Sequence, residues 1–319
     1  MTWPIFIELL LQMLVGNIDQ IMLSHFNATA VAAVGNANQV ITILLLTFSV
    51  ISLASTILIS QYLGAGQQEK VQQVYVLSAV VNLAVSLVLM ALLLLGADRL
   101  MALMQVPAEA RAEAAVYLRI TAVSYPFLAL YNAGAALFRS VGNSGISMRV
   151  SIVMNLINIV GNAIGVLGVA GVALPTLISR AVAAFLILRA AEHGAGPVQL
   201  HLRGLRLRGH MVRRILEIGV PSAVENGLFQ LGKLLVQSTV ATLGTTAIAA
   251  NSLGVSAESL CYMAGYGIQD AALALVGQAV GANRRDMAKR FAWLCTAMGM
   301  GIMALTGVGL YVFAPQLMG

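Results

Sequence analysis

Long apolar runs alternate with short polar connections along the whole chain. A membrane-spanning helix needs about 20 mostly apolar residues, and by that measure the pattern predicts nine spans. They lie at residues 4–26, 30–62, 72–97, 114–138, 146–168, 171–190, 214–242, 246–280 and 289–315. The connections carry turn-forming residues, as in "GAGQQEK" after the second span and "RSVGNSG" after the fourth. The pattern therefore predicts an all-α polytopic membrane protein.

One connection differs from the rest. Residues 192–214, "EHGAGPVQLHLRGLRLRGHMVRR", are polar, basic and contain several glycines, which is typical of a linker. We therefore predict an N-terminal six-span lobe at 1–192, a basic linker at 193–212 and a C-terminal lobe at 213–319.

The two lobes repeat one another. With Pro4 aligned on Pro221, "PIFIELLLQML" lies over "PSAVENGLFQL" and places Glu8 on Glu225. Without a gap, "QYLGAGQQE" then falls on "QAVGANRRD", so that Gln61 and Gly64 match Gln278 and Gly281. Six predicted spans separate the copies, so both have the same orientation in the membrane. Parallel repeats of this kind place a transported substrate between them, near the middle of the bilayer.

The second copy is shorter than the first. A copy of equal length would extend about 87 residues, or three spans, past Gly319. We expect that the chain is either a truncated product or a fragment of a twelve-span protein, with the second repeat incomplete.

Composition agrees with a membrane protein and excludes a soluble one. Hydrophobic residues make up 59% of the 319 residues and charged residues only 9%, against about 25% charged in a soluble domain. The net charge of +6 does not indicate nucleic-acid binding, because the basic residues lie in short loops between spans. We expect the lipid bilayer to be the surrounding partner and the protein to be monomeric.

The basic residues predict orientation. With the N-terminus inside, thirteen Lys and Arg residues lie on the inner side and only Arg99, Arg111 and Arg119 on the outer. Cytoplasmic loops carry the excess of basic residues. We therefore predict a multi-pass protein of the bacterial plasma (inner) membrane with a cytoplasmic N-terminus.

Several motifs resemble the multidrug and toxic compound extrusion (MATE) family. They include "DQIMLS" late in the first span, "AVAAVG" and "QYLGAG" in the second, "LFRSVGNS" after the fourth, and "PSAVENGLF" and "GQAVGA" in the second repeat. The resemblance implies an antiporter that exports cationic, amphipathic organic compounds (multidrug efflux) in exchange for H⁺ or Na⁺. Two helical bundles would rock around a central cavity, and the coupling ion would be the only cofactor.

Polar residues in the first span form the leading candidate ion site. Glu8 and Asp19 are eleven residues apart, about 1,100° on a helix, so they share one face with Gln12 between them. Charged groups within spans are rare and usually face a cavity or a partner. Burial favours the neutral form of a carboxyl group, so we expect Asp19 to bind a proton near neutral pH. The resemblance also matches Asp19 to the family's ion-coupling acid; the alternative for both acids is hydrogen bonding that serves packing.

The fifth span carries a polar stripe. Asn155, Asn158 and Asn162 lie within about 60° of one another on the helix and could meet Asp19. Asparagine also joins helices by hydrogen bonds without any role in transport. The resemblance places an Asp at position 162 in many members, so Asn162 shifts proton coupling onto Asp19 and Glu8.

The second repeat offers further candidates. Glu225 matches Glu8 and resembles the family's acid in the seventh span, so it is predicted to take part in cation coupling. Glu258 and Asp270 in the eighth span are candidates to line the cavity, and Lys233 either pairs with an acid or extends to the interface. No structural metal site is predicted, although Na⁺ could bind near Asp19 or Glu225.

Three functions remain open at this point. A drug/cation antiporter is favoured by the acids and by the resemblance. A lipid-linked oligosaccharide flippase of the same superfamily would need several Arg or Lys in its cavity for pyrophosphate, but only Arg180 and Lys233 lie within spans well away from their ends. The third alternative is a truncated fragment that does not transport. An enzyme is not expected, because no nucleophile–base or metal-ligand set occurs in the sequence.

Overall fold

The fold is an assembly of long helices, described here from a computed structural model. The structure describes residues 3–8, 10–11, 28–104, 106–164, 168–194, 209–242 and 244–318. Residues 3–8 and 10–11 are helical and are called α1. The helices that follow are α2 (Ala28–Gly64), α3 (Gln68–Leu103), α4 (Ala108–Val123), α5 (Tyr125–Ser140), α6 (Ser144–Ile164), α7 (Gly168–Glu192), α8 (Gly209–Ala241), α9 (Thr245–Gly281) and α10 (Arg285–Met318). The all-α prediction is confirmed.

Several of these helices match the length and composition of membrane spans. Within the described residues, five helical segments are long and apolar enough to cross a bilayer, or six if α4 and α5 form one bent span. The predicted first span lies largely outside the described residues. The helices α8 and α9, at the predicted seventh and eighth spans, are not among the five, and α8 carries Glu217, Glu225 and Lys233.

The predicted fourth span is not one continuous helix. α4 and α5 meet at Ser124 with a bend of 45°. Pro126 explains the break, because proline has no N–H to donate to the carbonyl four residues earlier and disfavours helical geometry in the residue before it. The single helix predicted over residues 114–138 was therefore wrong in this respect.

The core of the N-terminal lobe is built from small and aromatic residues. Many of its buried positions are alanines, among them Ala37, Ala54, Ala114 and Ala129, and small residues let helices approach closely inside a membrane. Large side chains fill the remaining space; the rings of Phe48 and Tyr125 pack edge to face, with centroids 5.9 Å apart. The helices α2, α3, α4, α5, α6 and α7 pack together in this lobe.

The described part of the C-terminal lobe is more open. α8 packs mainly on α2, and α9 packs on both α2 and α10. Large apolar side chains on α8 and α10 remain exposed, including Leu228, Leu235, Trp293 and Leu305. Where the chain spans a bilayer, surfaces of this kind face lipid or further helices.

The repeat seen in the sequence is also a repeat of backbone geometry. After α2, Gly66 has a φ of 72°, and its repeat equivalent after α9, Asn283, has a φ of 56°. Gln67 N–H donates to the Tyr62 carbonyl at 2.9 Å, and Arg284 N–H donates to the Ala279 carbonyl at 3.0 Å. Both helices thus end in a Schellman motif, where a glycine or asparagine takes the left-handed position.

One prediction of stability arises from the contact between α6 and α7. A Cβ atom added to Gly161 would lie 2.6 Å from the Cβ of Pro175, and a proline ring cannot turn aside. We expect Gly161→Ala to destabilise the protein by about 1–3 kcal/mol, the usual cost of overpacking, measured by unfolding in detergent. Gly96→Ala is the matched control, because nothing lies within 4 Å of a Cβ at that position. Equal stability of the two variants would contradict the prediction.

Candidate functional site

A cavity lies between the two lobes. It has a volume of about 320 Å³ and is enclosed by α2 and α5 from the N-terminal lobe and by α8 and α9 from the C-terminal lobe. Polar and aromatic groups line it alongside apolar ones. Among its lining residues are Ser49, Ser52, Thr56, Asn132, Arg139, Asn226, Tyr266, Gln269 and Asp270. We call this space the inter-lobe cavity.

A second hollow adjoins it. This hollow has a volume of about 410 Å³, lies between α2, α3 and α8, and is lined mostly by apolar side chains. It shares Leu46, Val50 and Asn226 with the inter-lobe cavity. An apolar space beside a polar cavity can accommodate a ligand that has both a polar and an apolar part.

Ionic groups lie at one end of the inter-lobe cavity. Arg139, in the last turn of α5, donates from Nη1 to Oδ2 of Asp270 on α9 at 2.7 Å. Its Nη2 lies 3.8 Å from Oε1 of Glu8 on α1. A cation in the last turn of a helix is favoured by the helix dipole, which helps to hold Arg139 at this place. One guanidinium therefore joins the two lobes.

Glu8 is held inside the N-terminal lobe. Its side chain is only 3% exposed. The hydroxyl of Tyr131 donates to its Oε1 at 2.8 Å, and the hydroxyl of Ser147 lies 3.4 Å from its Oε2. These contacts, which come from α5 and α6, give a buried carboxylate the partners that it requires.

The lobes also touch directly where α2 and α9 end. We call this the basic end, the side of the molecule that carries the connections 64–68, 140–144 and 281–285. Gly64 lies against the backbone of Gln278, and in the repeat-related contact Gly281 lies against the backbone of Gln61. The side chain of Gln278 adds a hydrogen bond to the carbonyl of Ser140 at 2.6 Å. Only glycine permits two backbones to approach so closely.

The asparagine stripe lies inside the N-terminal lobe and does not line the inter-lobe cavity as described. Asn155, Asn158 and Asn162 are all buried. Asn158 donates to Oγ1 of Thr176 on α7 at 2.9 Å, and Asn162 donates to Oδ1 of Asn158 at 3.1 Å. The stripe therefore joins α6 to α7, whatever further role it has.

Two acids of the C-terminal lobe, Glu225 and Glu258, are not among the residues that line the inter-lobe cavity. Glu225 is exposed on α8, while its neighbour Asn226 lines the inter-lobe cavity. Glu258 is exposed on α9 and accepts a hydrogen bond from Tyr262 at 2.7 Å. Lys233 lies over the rings of Phe229 and Tyr262, 5.0 and 5.5 Å from their centroids, a cation–π arrangement. The structure thus brings Glu8 and Asp270 near one cation, Arg139, and shows neither Glu225 nor Glu258 in an ion pair with it among the described residues.

Asp19 and Gln12 lie outside the described residues. The hypothesis that Asp19 couples transport to an ion, with Gln12 on the same helix face, therefore stays a prediction. So does the prediction of Na⁺ near Asp19 or Glu225.

Sequence reasoning missed several residues of the site. Arg139 lies in the motif "LFRSVGNS" and counts among the inner-side basic residues, but the sequence predicts no partner for it, and the hydroxyls of Tyr131, Ser147 and Thr176 are not singled out. The signals in the sequence are the motif "LFRSVGNS", which contains Arg139, and the match of Gln61 and Gly64 to Gln278 and Gly281.

The relatives of the chain are transporters. The uncharacterized transporter YisQ of Bacillus subtilis is 31% identical over 100% of this chain and 72% of its own length. A probable multidrug resistance protein NorM of Thermotoga maritima is 27% identical over 88% of this chain and 62% of its own length. The chain thus spans about two thirds of the length of these relatives.

Solved structures agree on the fold. A MOP-superfamily transporter from Pyrococcus furiosus matches with a TM-score of 0.92 over 99% of this chain and 71% of that chain, at 22% identity. An outward-facing multidrug resistance MATE family transporter matches equally well, with a TM-score of 0.92. The model of the family described as MatE matches residues 4–164 and 221–319. These two ranges include most of both lobes, so the chain belongs to the MATE family of membrane transporters.

Proposed function

We propose that this protein exports cationic, amphipathic organic compounds in exchange for H⁺ or Na⁺ by alternating access of its two lobes. The inter-lobe cavity carries the proposal, because it lies between two parallel repeats, where transporters of this architecture bind substrate. Asp270 supplies an acid in the cavity, Tyr266 supplies an aromatic ring, and the adjoining hollow supplies apolar surface. The names of several relatives, including the NorM protein of Thermotoga maritima, support a multidrug substrate range.

The lining of the cavity favours a cation over a pyrophosphate-linked lipid. Arg139 is the one basic residue among its described lining residues, and it is already paired with Asp270. A pyrophosphate group would require several unpaired basic groups. The basic end would face the cytoplasm of a bacterial cell, in accordance with the excess of basic residues in its loops.

Transport by purified protein in liposomes tests the proposal. Flux of the organic cation tetraphenylphosphonium should rise when a pH gradient or a Na⁺ gradient is imposed in the antiport direction. Flux that is independent of both gradients would contradict antiport. Flux no greater than in protein-free liposomes would favour the alternative that this chain is a fragment without transport activity.

A variant of Asp19 tests whether this residue couples transport to the ion gradient. We expect Asp19→Asn to reduce gradient-driven flux at least about tenfold, because an amide cannot take up and release a proton near neutral pH. Asp98→Asn is the control, since Asp98 is exposed and pairs with Arg119 away from the inter-lobe cavity. Unchanged gradient-driven flux in Asp19→Asn would remove this residue from the mechanism.

A further inference from the structure

Arg139 is shared by acids of two lobes, but it is hydrogen-bonded to only one of them. Its Nη1 donates to Asp270 at 2.7 Å, whereas the 3.8 Å between Nη2 and Glu8 Oε1 is an ion-pair distance too long for a hydrogen bond. The Nε atom of Arg139 is buried and has no hydrogen-bond partner among the described residues. The guanidinium therefore has donors that this arrangement does not use.

Glu8 is a ready acceptor for those donors. A carboxylate offers about four lone-pair positions. Among the described residues, the hydroxyl of Tyr131 uses one of them, and that of Ser147, which also donates to the Ser144 carbonyl at 2.9 Å, uses at most a second. A movement of about 1 Å would bring Nη2 of Arg139 within hydrogen-bond distance of Glu8. Because Glu8, Tyr131, Ser147 and Arg139 all belong to the N-terminal lobe, this second pairing would survive a separation of the lobes.

Asp270 is the acid that such a movement would release. Its side chain is 28% exposed and lines the inter-lobe cavity. While Arg139 holds it, these two groups contribute no net charge to the cavity. Once Arg139 has moved to Glu8, Asp270 becomes a free carboxylate that faces the cavity from the C-terminal lobe.

We propose that Arg139 is a tethered cation that switches between Asp270 and Glu8, and that a cationic substrate takes its place at Asp270. With Arg139 on Asp270, the lobes are joined at the basic end. With Arg139 on Glu8, the lobes can separate there without leaving the partly buried guanidinium, which is 23% exposed, without an anionic partner. The exchange makes the cavity selective for cations, because only a positively charged compound replaces the guanidinium at Asp270. The part of the proposal that concerns substrate rests on the proposed function.

Two readouts test the switch in the full chain. The first is the distance between spin labels at Gln67→Cys and Arg284→Cys, two exposed and repeat-related positions at the basic end, with Cys261 and Cys295 replaced by alanine. The second is equilibrium binding of tetraphenylphosphonium. Both are measured in lipid nanodiscs, and neither depends on transport.

The variants should separate the two readouts. We expect Asp270→Asn to lengthen the label distance and to weaken cation binding about tenfold, which corresponds to about 1.4 kcal/mol. Arg139→Gln should also lengthen the distance but tighten binding about tenfold, because Asp270 is then free. Glu8→Gln should shift the distance in the opposite direction, toward the joined state, and weaken binding. Arg139→Lys keeps the charge and should restore most of the wild-type distance.

Arg213→Gln is the matched control. Arg213 forms an exposed pair with Glu217 within α8, so this variant removes the same charge without touching the lobe contact and should leave both readouts unchanged. Binding effects of the same sign in Arg139→Gln and Asp270→Asn would overturn the substrate exchange. Distance shifts of the same sign in Glu8→Gln and Asp270→Asn would overturn the switch. If no variant binds the cation but the distances shift in opposite directions, the switch stands and the proposed export of cations fails.

Discussion

Replacing Gly281 with alanine is expected to force the two lobes apart at the basic end and to abolish most transport. The added Cβ would collide with the backbone of Gln61, and Gly64→Ala would collide in the same way with the backbone of Gln278. A backbone carbonyl cannot rotate away as a side chain can, so α2 and α9 must separate. Overpacking costs about 1–3 kcal/mol or more, and about 1.4 kcal/mol corresponds to tenfold in an equilibrium. We therefore expect a shift of about fivefold to a hundredfold away from the joined state.

The label distance between positions 67 and 284 measures this effect directly. Both Gly64→Ala and Gly281→Ala should lengthen it, and gradient-driven cation flux should fall in parallel. Gly96→Ala controls for the change of residue type, because a Cβ there meets nothing within 4 Å. A wild-type label distance together with wild-type flux in Gly281→Ala would show that close contact at the basic end is not part of the transport cycle.

The repeat allowed this contact to be anticipated in part. The match of Gln61 and Gly64 to Gln278 and Gly281 was visible in the sequence, and it predicted equivalent positions in two parallel helices. It did not predict that Gly64 lies against Gln278, or that Gly281 lies against Gln61. Contact between repeats depends on how the lobes are placed, and an alignment of a chain with itself contains no information about that placement.

The bend at Ser124 shows a limit of apolar patterns. Hydropathy along residues 114–138 is continuous, so the pattern predicts one span. The break depends on the backbone of a single residue, Pro126. A proline near the middle of a predicted span is a signal for a kink. Proline has no backbone N–H, so a helical hydrogen bond is lost whatever the hydropathy of the segment.

The ionic site was predicted in part. The periodicity of a helix places Glu8 on one face of the first span. It gives the angular position of the side chain but does not identify its hydrogen-bond partners. The partners Tyr131 and Ser147 come from α5 and α6, more than 120 residues later, and such contacts arise only from packing. No ionic partner is predicted for Arg139 from the sequence, because basic residues near span ends usually indicate orientation. Asp270 lines the inter-lobe cavity, and its role in substrate binding stays a prediction.

Replacing Glu8 with leucine is expected to destabilise the N-terminal lobe by about 1–3 kcal/mol. Tyr131 is only 2% exposed, so its hydroxyl would lose the acceptor Oε1 of Glu8 with no water to replace it, whereas the Ser147 hydroxyl keeps its bond to the Ser144 carbonyl at 2.9 Å. Each buried polar group left unsatisfied costs about 1–3 kcal/mol. Leucine fills a similar volume, so the loss reports the missing acceptor rather than a cavity. Unfolding of the purified protein in mixed detergent measures the change.

Two further variants identify the cause. Glu8→Gln retains a carbonyl oxygen for the Tyr131 hydroxyl, so it should recover most of the stability that Glu8→Leu loses. Glu217→Leu makes the same change of residue type at a side chain that is 56% exposed, and changes at exposed positions usually stay within about 0.5 kcal/mol. If Glu8→Leu were as stable as Glu217→Leu, the buried carboxylate would have no part in holding α1 against α5 and α6. Its contribution would then lie entirely in the pairing with Arg139.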